Sequence, residues 1–123
     1  MSIRKGINAA IWGDSLWTMM YAITLNYPDF PTIQDKTTVT NWFESLATVI
    51  PCIDCRTDYS NNLKTHQINT FASSKIALCS WMVLIHNETN TKLSDPLVSL
   101  DTIISSKFDG KRDVHLTEVP AYI

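Results

Sequence analysis

The chain has 123 residues, with ten basic against twelve acidic side chains, a formal net charge of -2, 45% hydrophobic residues and 18% charged ones. That describes one folded domain with a modest core, too small for a Rossmann unit plus a second lobe and too apolar for a disordered tail. The basic residues form no lysine-arginine stripe, so nucleic acid is not an expected partner.

The predicted elements are all helical. Residues 1–12 have no clear period and read as a lead-in. Asp14 or Ser15 is a credible N-cap, and Leu16, Trp17, Met19, Met20 and Ile23 have helical spacing up to Tyr27-Pro28, where the proline stops the helix. Asp29 to Thr32 reads as a stiff turn. A second amphipathic helix is expected from about Thr38 or Thr40 to Ile50, with Val39, Trp42, Phe43, Leu46, Val49 and Ile50 on its apolar side. Pro51 suits the first turn of a third helix, on which Cys52, Cys55, Tyr59 and Leu63 share a face. Asn61-Asn62 and the polar stretch around His66 suggest fraying and a loop to about Ser73.

Ser73 or Ser74 caps a fourth, strongly apolar helix through Ile76, Leu78, Trp81, Leu84 and Ile85 to about Leu93. Its longest apolar run, Ile76 to Ile85, is about half of the roughly 20 residues that a membrane span needs. After Pro96, Ser99 caps a short fifth helix with Leu100, Ile103 and Ile104, ending before Gly110. Lys111 to Ile123 reads as coil or a short strand. With no repeat and no run of strands, the expectation is an all-α four-helix bundle with a short fifth helix, one domain over residues 1–123 with its core at about 12–108. Arg4 and Lys5 are not followed by a secretory apolar segment, because Asn8 and the Trp12-Gly13-Asp14 break interrupt it.

Three cysteines are an odd number, which argues against a disulfide-stapled secreted scaffold and for a working pair, Cys52 and Cys55, plus a bystander, Cys79. A helix N-terminus favours a thiolate, so Cys52 is the reactive candidate. The same Cys-x-x-Cys is also how a zinc site begins, and the alternative is a structural zinc module using Cys52, Cys55 and two of His66, Cys79, His86 and His115. A thioredoxin-like enzyme would need a βαβ unit, which the pattern lacks. On the fourth helix, His86 and Asn90 share a face with Cys79, Met82 and Val83 and need buried partners. On the first, Trp17 and Tyr21 have the same spacing. A reactive thiol pair, planar aromatics and a His/Asn pair on adjacent inward faces would suit a flat, redox-active ring.

Four segments in order, Trp12-Gly13-Asp14-Ser15-Leu16-Trp17, Tyr27-Pro28-Asp29-x-Pro31-Thr32, Pro51-Cys52-x-x-Cys55-x-x-Asp58 and Trp81-x-x-x-x-His86-Asn87-x-x-Asn90-x-Lys92-Leu93, resemble the Erv/Alr family of FAD-linked sulfhydryl oxidases. The resemblance covers residues 12 to about 96. It implies a four-helix bundle with a short fifth helix, FAD bound without a Gly-x-Gly-x-x-Gly loop, and a non-covalent homodimer. It further implies that Cys55 lies against the flavin and Cys52 is the exposed partner. Gly13, Trp17, Tyr21, Asp58, Trp81, His86, Asn87, Asn90 and Lys92 would line the FAD site, with no metal; Trp81 and His86 would pack near the adenine, and Asn90 and Lys92 would serve polar and phosphate groups.

Three positions depart from the family pattern: Tyr21 stands where a histidine is common, Asp95 where a lysine is, and Cys79 lacks the partner of the usual structural disulfide because Leu100 stands near its place. No second Cys-x-x-Cys shuttle pair is present, so a protein dithiol or a thioredoxin-like relay protein would reach Cys52 directly and oxygen would be the final acceptor. The bare domain resembles the compact forms of large DNA viruses, which implies host cytoplasm or virion, with the mitochondrial intermembrane space as the alternative.

Overall fold

The computed structural model describes residues 6–108, and they fold into five helices and one short 3-10 turn: α1 (Ala9–Leu25), α2 (Ile33–Val49), α3 (Ile53–Thr65), the turn Ile68–Thr70, α4 (Lys75–Leu93) and α5 (Leu100–Lys107). Helices α1 and α4 pack along each other, α2 packs on α3, and α3 closes the bundle against α4. Among these residues there is no strand; a single antiparallel bridge joins Gly6 to Cys52. The expected all-α bundle with a short fifth helix is the fold observed.

Helix α4 is the centre of the core. Leu78, Cys79, Trp81, Met82 and Ile85 have no exposed surface, and they meet Met20 and Tyr21 of α1 and Phe43 of α2. Fully burying a large apolar side chain is worth about 1.5–3 kcal/mol, so this stripe supplies much of the drive to fold. Phe43 and Trp81 meet edge to face, with centroids 5.0 Å apart. Three buried polar tips find backbone acceptors: Trp81 Nε1 donates to the His66 carbonyl at 2.8 Å, Tyr59 to that of Phe43 at 2.6 Å and Tyr27 to that of Ala72 at 2.7 Å.

Three boundaries differ from expectation. α1 begins five residues before Asp14, because the Asn8 side chain accepts from Ala10 N and starts the helix there. Gly13 therefore lies inside the helix rather than at a break, at a cost of only about 1 kcal/mol against alanine. α2 begins at Ile33, not at Thr38 or Thr40, because Thr32 and Asp35 form a reciprocal capping box, Asp35 N to Thr32 Oγ1 at 3.0 Å and Thr32 N to Asp35 Oδ2 at 2.8 Å. Its first turns are polar and exposed, so no apolar period announces them. α3 has Cys52 at its N-cap, so Pro51 precedes the helix rather than standing in its first turn, and the helix continues through Asn61-Asn62 to Thr65 rather than fraying there. Lys111 to Ile123 lie outside the described residues.

The remaining ends follow the sequence. Ser74 and Ser99 cap α4 and α5 through bonds to Ala77 N and Thr102 N. α4 ends on Ser94, which takes the left-handed conformation at φ 60° while the Asp95 N–H returns to the Asn90 carbonyl at 2.8 Å. Glycine is the usual residue there. α5 then lays Leu100, Ile103 and Ile104 onto the core.

Candidate functional site

Cys52 and Cys55 are joined as a disulfide at the head of α3, with their Cα atoms 5.2 Å apart. Cys52 Sγ also serves as the helix cap, accepting from Cys55 N at 3.2 Å. Backbone and side chains hold this loop from two sides. Cys52 N and Arg56 Nε both donate to the Ile50 carbonyl, at 2.8 and 2.6 Å. Across from them, Ile7 N donates to the Pro51 carbonyl at 2.7 Å, and Trp12 Nε1 donates to the Ile7 carbonyl at 2.8 Å. Gly6 makes the close approach possible, since its φ is +119° and a Cβ there would fall 2.7 Å from Cys52 Cα.

Beside the disulfide lies a cavity of about 500 Å³ between α1, α3 and α4. Cys55 is in its wall; Cys52 is not. Trp12, Leu16 and Trp17 of α1 form an aromatic and apolar side, and Asn61, Asn62 and Thr89 form a polar one. At the rim, Lys92 of α4 pairs with Asp58 of α3.

Of the residues named from the sequence, Gly13, Trp17, Cys55, Asp58 and Lys92 line this cavity. Tyr21, Trp81, His86, Asn87 and Asn90 do not line it. His86 stacks on Trp17 with centroids 4.0 Å apart and planes 19° apart, and Tyr21 reaches His86 Nδ1 with its hydroxyl at 2.8 Å. Burial, with the nearby Lys107 ammonium, pushes the His86 imidazole down to about 4, against a smaller opposing pull from Asp14. Burial also pushes the Tyr21 hydroxyl well above its usual range. Both rings are therefore neutral near pH 7.

Trp81 is completely buried against Phe43, with its indole N–H committed to the chain at His66. Asn87 clamps the backbone of Val98, donating to its carbonyl at 2.9 Å and accepting from its N–H at 2.8 Å, and Asn90 donates to Asn87 Oδ1 at 3.3 Å.

Trp12, Leu16 and Met20 were missed as wall residues. Read from Asn8 instead of Asp14, residues 12, 13, 16, 17 and 20 form one helical face, so the signal was present. Asn62 follows Cys55, Asp58 and Tyr59 on a single stripe of α3. Lys107 was also missed: its side chain is only 12% exposed and binds Asp14 and Thr18, tying α5 to the start of α1.

The zinc alternative does not assemble. Among the described residues no group of three His, Cys, Asp or Glu side chains is placed to hold a metal. The Cys79 thiol instead donates to the Thr24 carbonyl at 3.6 Å, and burial pushes it up to about 11, while His115 lies outside the described residues. No helix among the described residues is long and apolar enough to cross a membrane.

A helical bundle that seats one sulfur of a Cys-x-x-Cys disulfide in the wall of an aromatic cavity defines a dithiol redox protein with room for a planar partner. Residues 14–109 match the model of the Erv1 / Alr family, and the chain belongs to that family. Two viral proteins, both provisionally named FAD-linked sulfhydryl oxidases, are among its relatives. The one from Invertebrate iridescent virus 3 is 24% identical over 117 residues, 93% of this chain and 79% of the relative. The one from Acanthamoeba polyphaga mimivirus is 36% identical over 80 residues, 64% of this chain and 56% of the relative. The crystal structure of the yeast Erv1 core superposes with a TM-score of 0.75 at 25% identity, over 85% of this chain and 86% of that one.

Proposed function

We propose that this chain is an FAD-linked sulfhydryl oxidase that forms disulfide bonds in protein substrates and passes the electrons to oxygen, giving hydrogen peroxide. The observation that carries the reading is the asymmetry of the pair, with Cys55 in the cavity wall and Cys52 capping α3 outside it.

The cavity suits the cofactor on its aromatic side, where the Trp12 and Trp17 indoles line the same space as Cys55. At the polar end, Asn61, Asn62 and Thr89 offer hydrogen bonds, and Lys92 is the one cation among the described lining residues. A diphosphate there would draw Lys92 away from Asp58. An exposed ion pair of that kind is worth at most about 1 kcal/mol, so the competition is affordable. Gly13 leaves the α1 backbone bare in the cavity lining. FAD, when bound, would supply the two-electron acceptor and the reaction with oxygen.

The protein's own sulfurs do the thiol chemistry. A substrate thiolate attacks Cys52 Sγ; the Cys52–Cys55 bond breaks and Cys55 leaves as a thiolate, already in the cavity wall. A second substrate thiol then attacks the substrate sulfur of that mixed disulfide and displaces Cys52. The substrate gains a disulfide and loses two electrons, which the Cys52/Cys55 pair holds as a dithiol. The Gly6-Ile7 strap and Arg56 keep the loop in register throughout.

The substrate is a protein dithiol, or a thioredoxin-like relay protein, small or flexible enough to present sulfur at Cys52. A homodimer follows from the family resemblance, and Ile11 and Met19, exposed eight residues apart on α1, give a second copy an apolar surface. Host cytoplasm or virion is the location favoured by the viral relatives, with the mitochondrial intermembrane space second, since a mitochondrial yeast protein is also a relative. The test is direct: purified protein should carry flavin absorbance and consume oxygen with a dithiol. Colourless protein that resists loading with FAD would end the assignment.

A further inference from the structure

We propose that Tyr21 is a positioning residue: its hydroxyl fixes His86 in the tautomer protonated at Nε2, and through His86 it sets the plane of the cavity-wall indole of Trp17. The tautomer follows from hydrogen-bond satisfaction. Tyr21 has no exposed surface, and among the described residues its hydroxyl has one bonding partner, His86 Nδ1. If Nδ1 carried the proton, the hydroxyl could only accept, and its own hydrogen would be buried without an acceptor. That arrangement is the costly one. The hydroxyl therefore donates, Nδ1 accepts, and the imidazole proton sits on Nε2.

Protonating the ring fully would reverse the same bond, because both nitrogens would then be donors, and would strand the hydroxyl hydrogen in the same way. The surrounding charges do not reverse this. Asp14 of α1 favours an imidazolium, but Lys107 of α5 opposes it and is itself paired with Asp14. Cys79 of α4, which faces Tyr21, keeps its thiol proton. A neutral ring with a fixed hydrogen-bonding edge then stacks on Trp17 at 4.0 Å, so the indole is backed by a group that can neither rotate nor acquire charge near neutral pH. The wall is built in series, Tyr21 holding His86 and His86 holding Trp17. Tyr21 acts on the cavity without lining it.

The tautomer stands without the reading of the site, whereas the effect on cofactor binding rests on FAD as the ligand. Nitrogen-15 NMR of the wild-type protein without FAD should show His86 Nδ1 as an unprotonated acceptor and Nε2 as protonated, unchanged from pH 5.5 to 8. A protonated Nδ1, or titration of both nitrogens near pH 6.5, would overturn the proposal, and this measurement needs no variant.

In Tyr21→Phe, which keeps the ring and removes the hydroxyl, His86 should populate both tautomers. The near-ultraviolet circular dichroism of the tryptophans should change, and FAD should bind about three- to tenfold more weakly, the loss expected for one buried hydrogen bond. Tyr21→Phe with a single unchanged tautomer would refute the first half, and unchanged FAD affinity beside a changed tautomer would refute the second. Failure of the wild type to bind FAD would count against the cofactor reading and leave the tautomer result intact.

Discussion

Asn87 tests how the polar residues of α4 divide between fold and cofactor. The family resemblance places it at the FAD site, but its amide grips both backbone groups of Val98, at 2.9 and 2.8 Å. That clamp fixes the connection from which Leu100, Ile103 and Ile104 descend into the core. In Asn87→Ala both Val98 groups lose their partner, and Asn90 loses the acceptor it meets at 3.3 Å. An unsatisfied buried group costs about 1–3 kcal/mol, and because Asn87 and Val98 are only half-buried the lower end applies to each, about 2 kcal/mol in all. For a domain of this size that is a fall in Tm of roughly 8 °C. Urea unfolding of the FAD-free protein should show the midpoint falling by about 2 kcal/mol divided by m, with the slope m unchanged. FAD affinity, measured on the folded fraction, should change little. An FAD-free Asn87→Ala as stable as wild type, with FAD binding lost, would refute the structural role.

Two further outcomes follow from the same side chains. Because burial holds His86 at about 4 when folded, against 6.5 when unfolded, the unfolded chain binds the extra proton between those values. Stability from this group is therefore complete above pH 6.5 and falls as the pH drops toward 4, by at most about 1.4 kcal/mol per pH unit. His86→Gln should flatten that part of the stability curve, and an unchanged slope would show that other groups set it. At Gly13 an added Cβ would meet only Ala9 Cβ, at 3.8 Å, so Gly13→Ala should raise the stability of the FAD-free protein by about 0.5–1 kcal/mol through helix propensity. Gly13 lines the cavity, so FAD binding should weaken in titrations of the same variant. Unchanged or tighter binding would place the ring elsewhere.

What the sequence disclosed depended on how local the signal was. The disulfide pair, the apolar stripe of α4 and the serine caps of α4 and α5 are local patterns, and each stands where the residues indicated. The start of α2 was hidden because Thr32 begins turns that are largely polar and exposed, leaving no apolar period to count, whereas the start of α1 was missed because Asp14 was read as the cap although Asn8 fills that place. The late start of α1 also concealed Trp12, which lies one turn before Leu16 and Trp17 on the same face. The site was legible where a motif puts side chains on a face, as for Trp17, Cys55, Asp58 and Lys92. It was not legible where a long-range partner decides the role. Nothing in Asn87 announces that it will bind the backbone eleven residues on, nor in Trp81 that its N–H will close the loop at His66. Lys107 was invisible for the same reason, since Asp14 and Thr18 lie 93 and 89 residues away.

The sharpest measurement is anaerobic mixing of the FAD-loaded protein with a small dithiol while flavin absorbance is recorded, in wild type and in Cys55→Ser. Wild type should bleach, and Cys55→Ser should keep its flavin yet stay yellow over the same interval, because the proposed route for the electrons runs through the sulfur in the cavity wall. Bleaching of Cys55→Ser at the wild-type rate would show that they travel by another path.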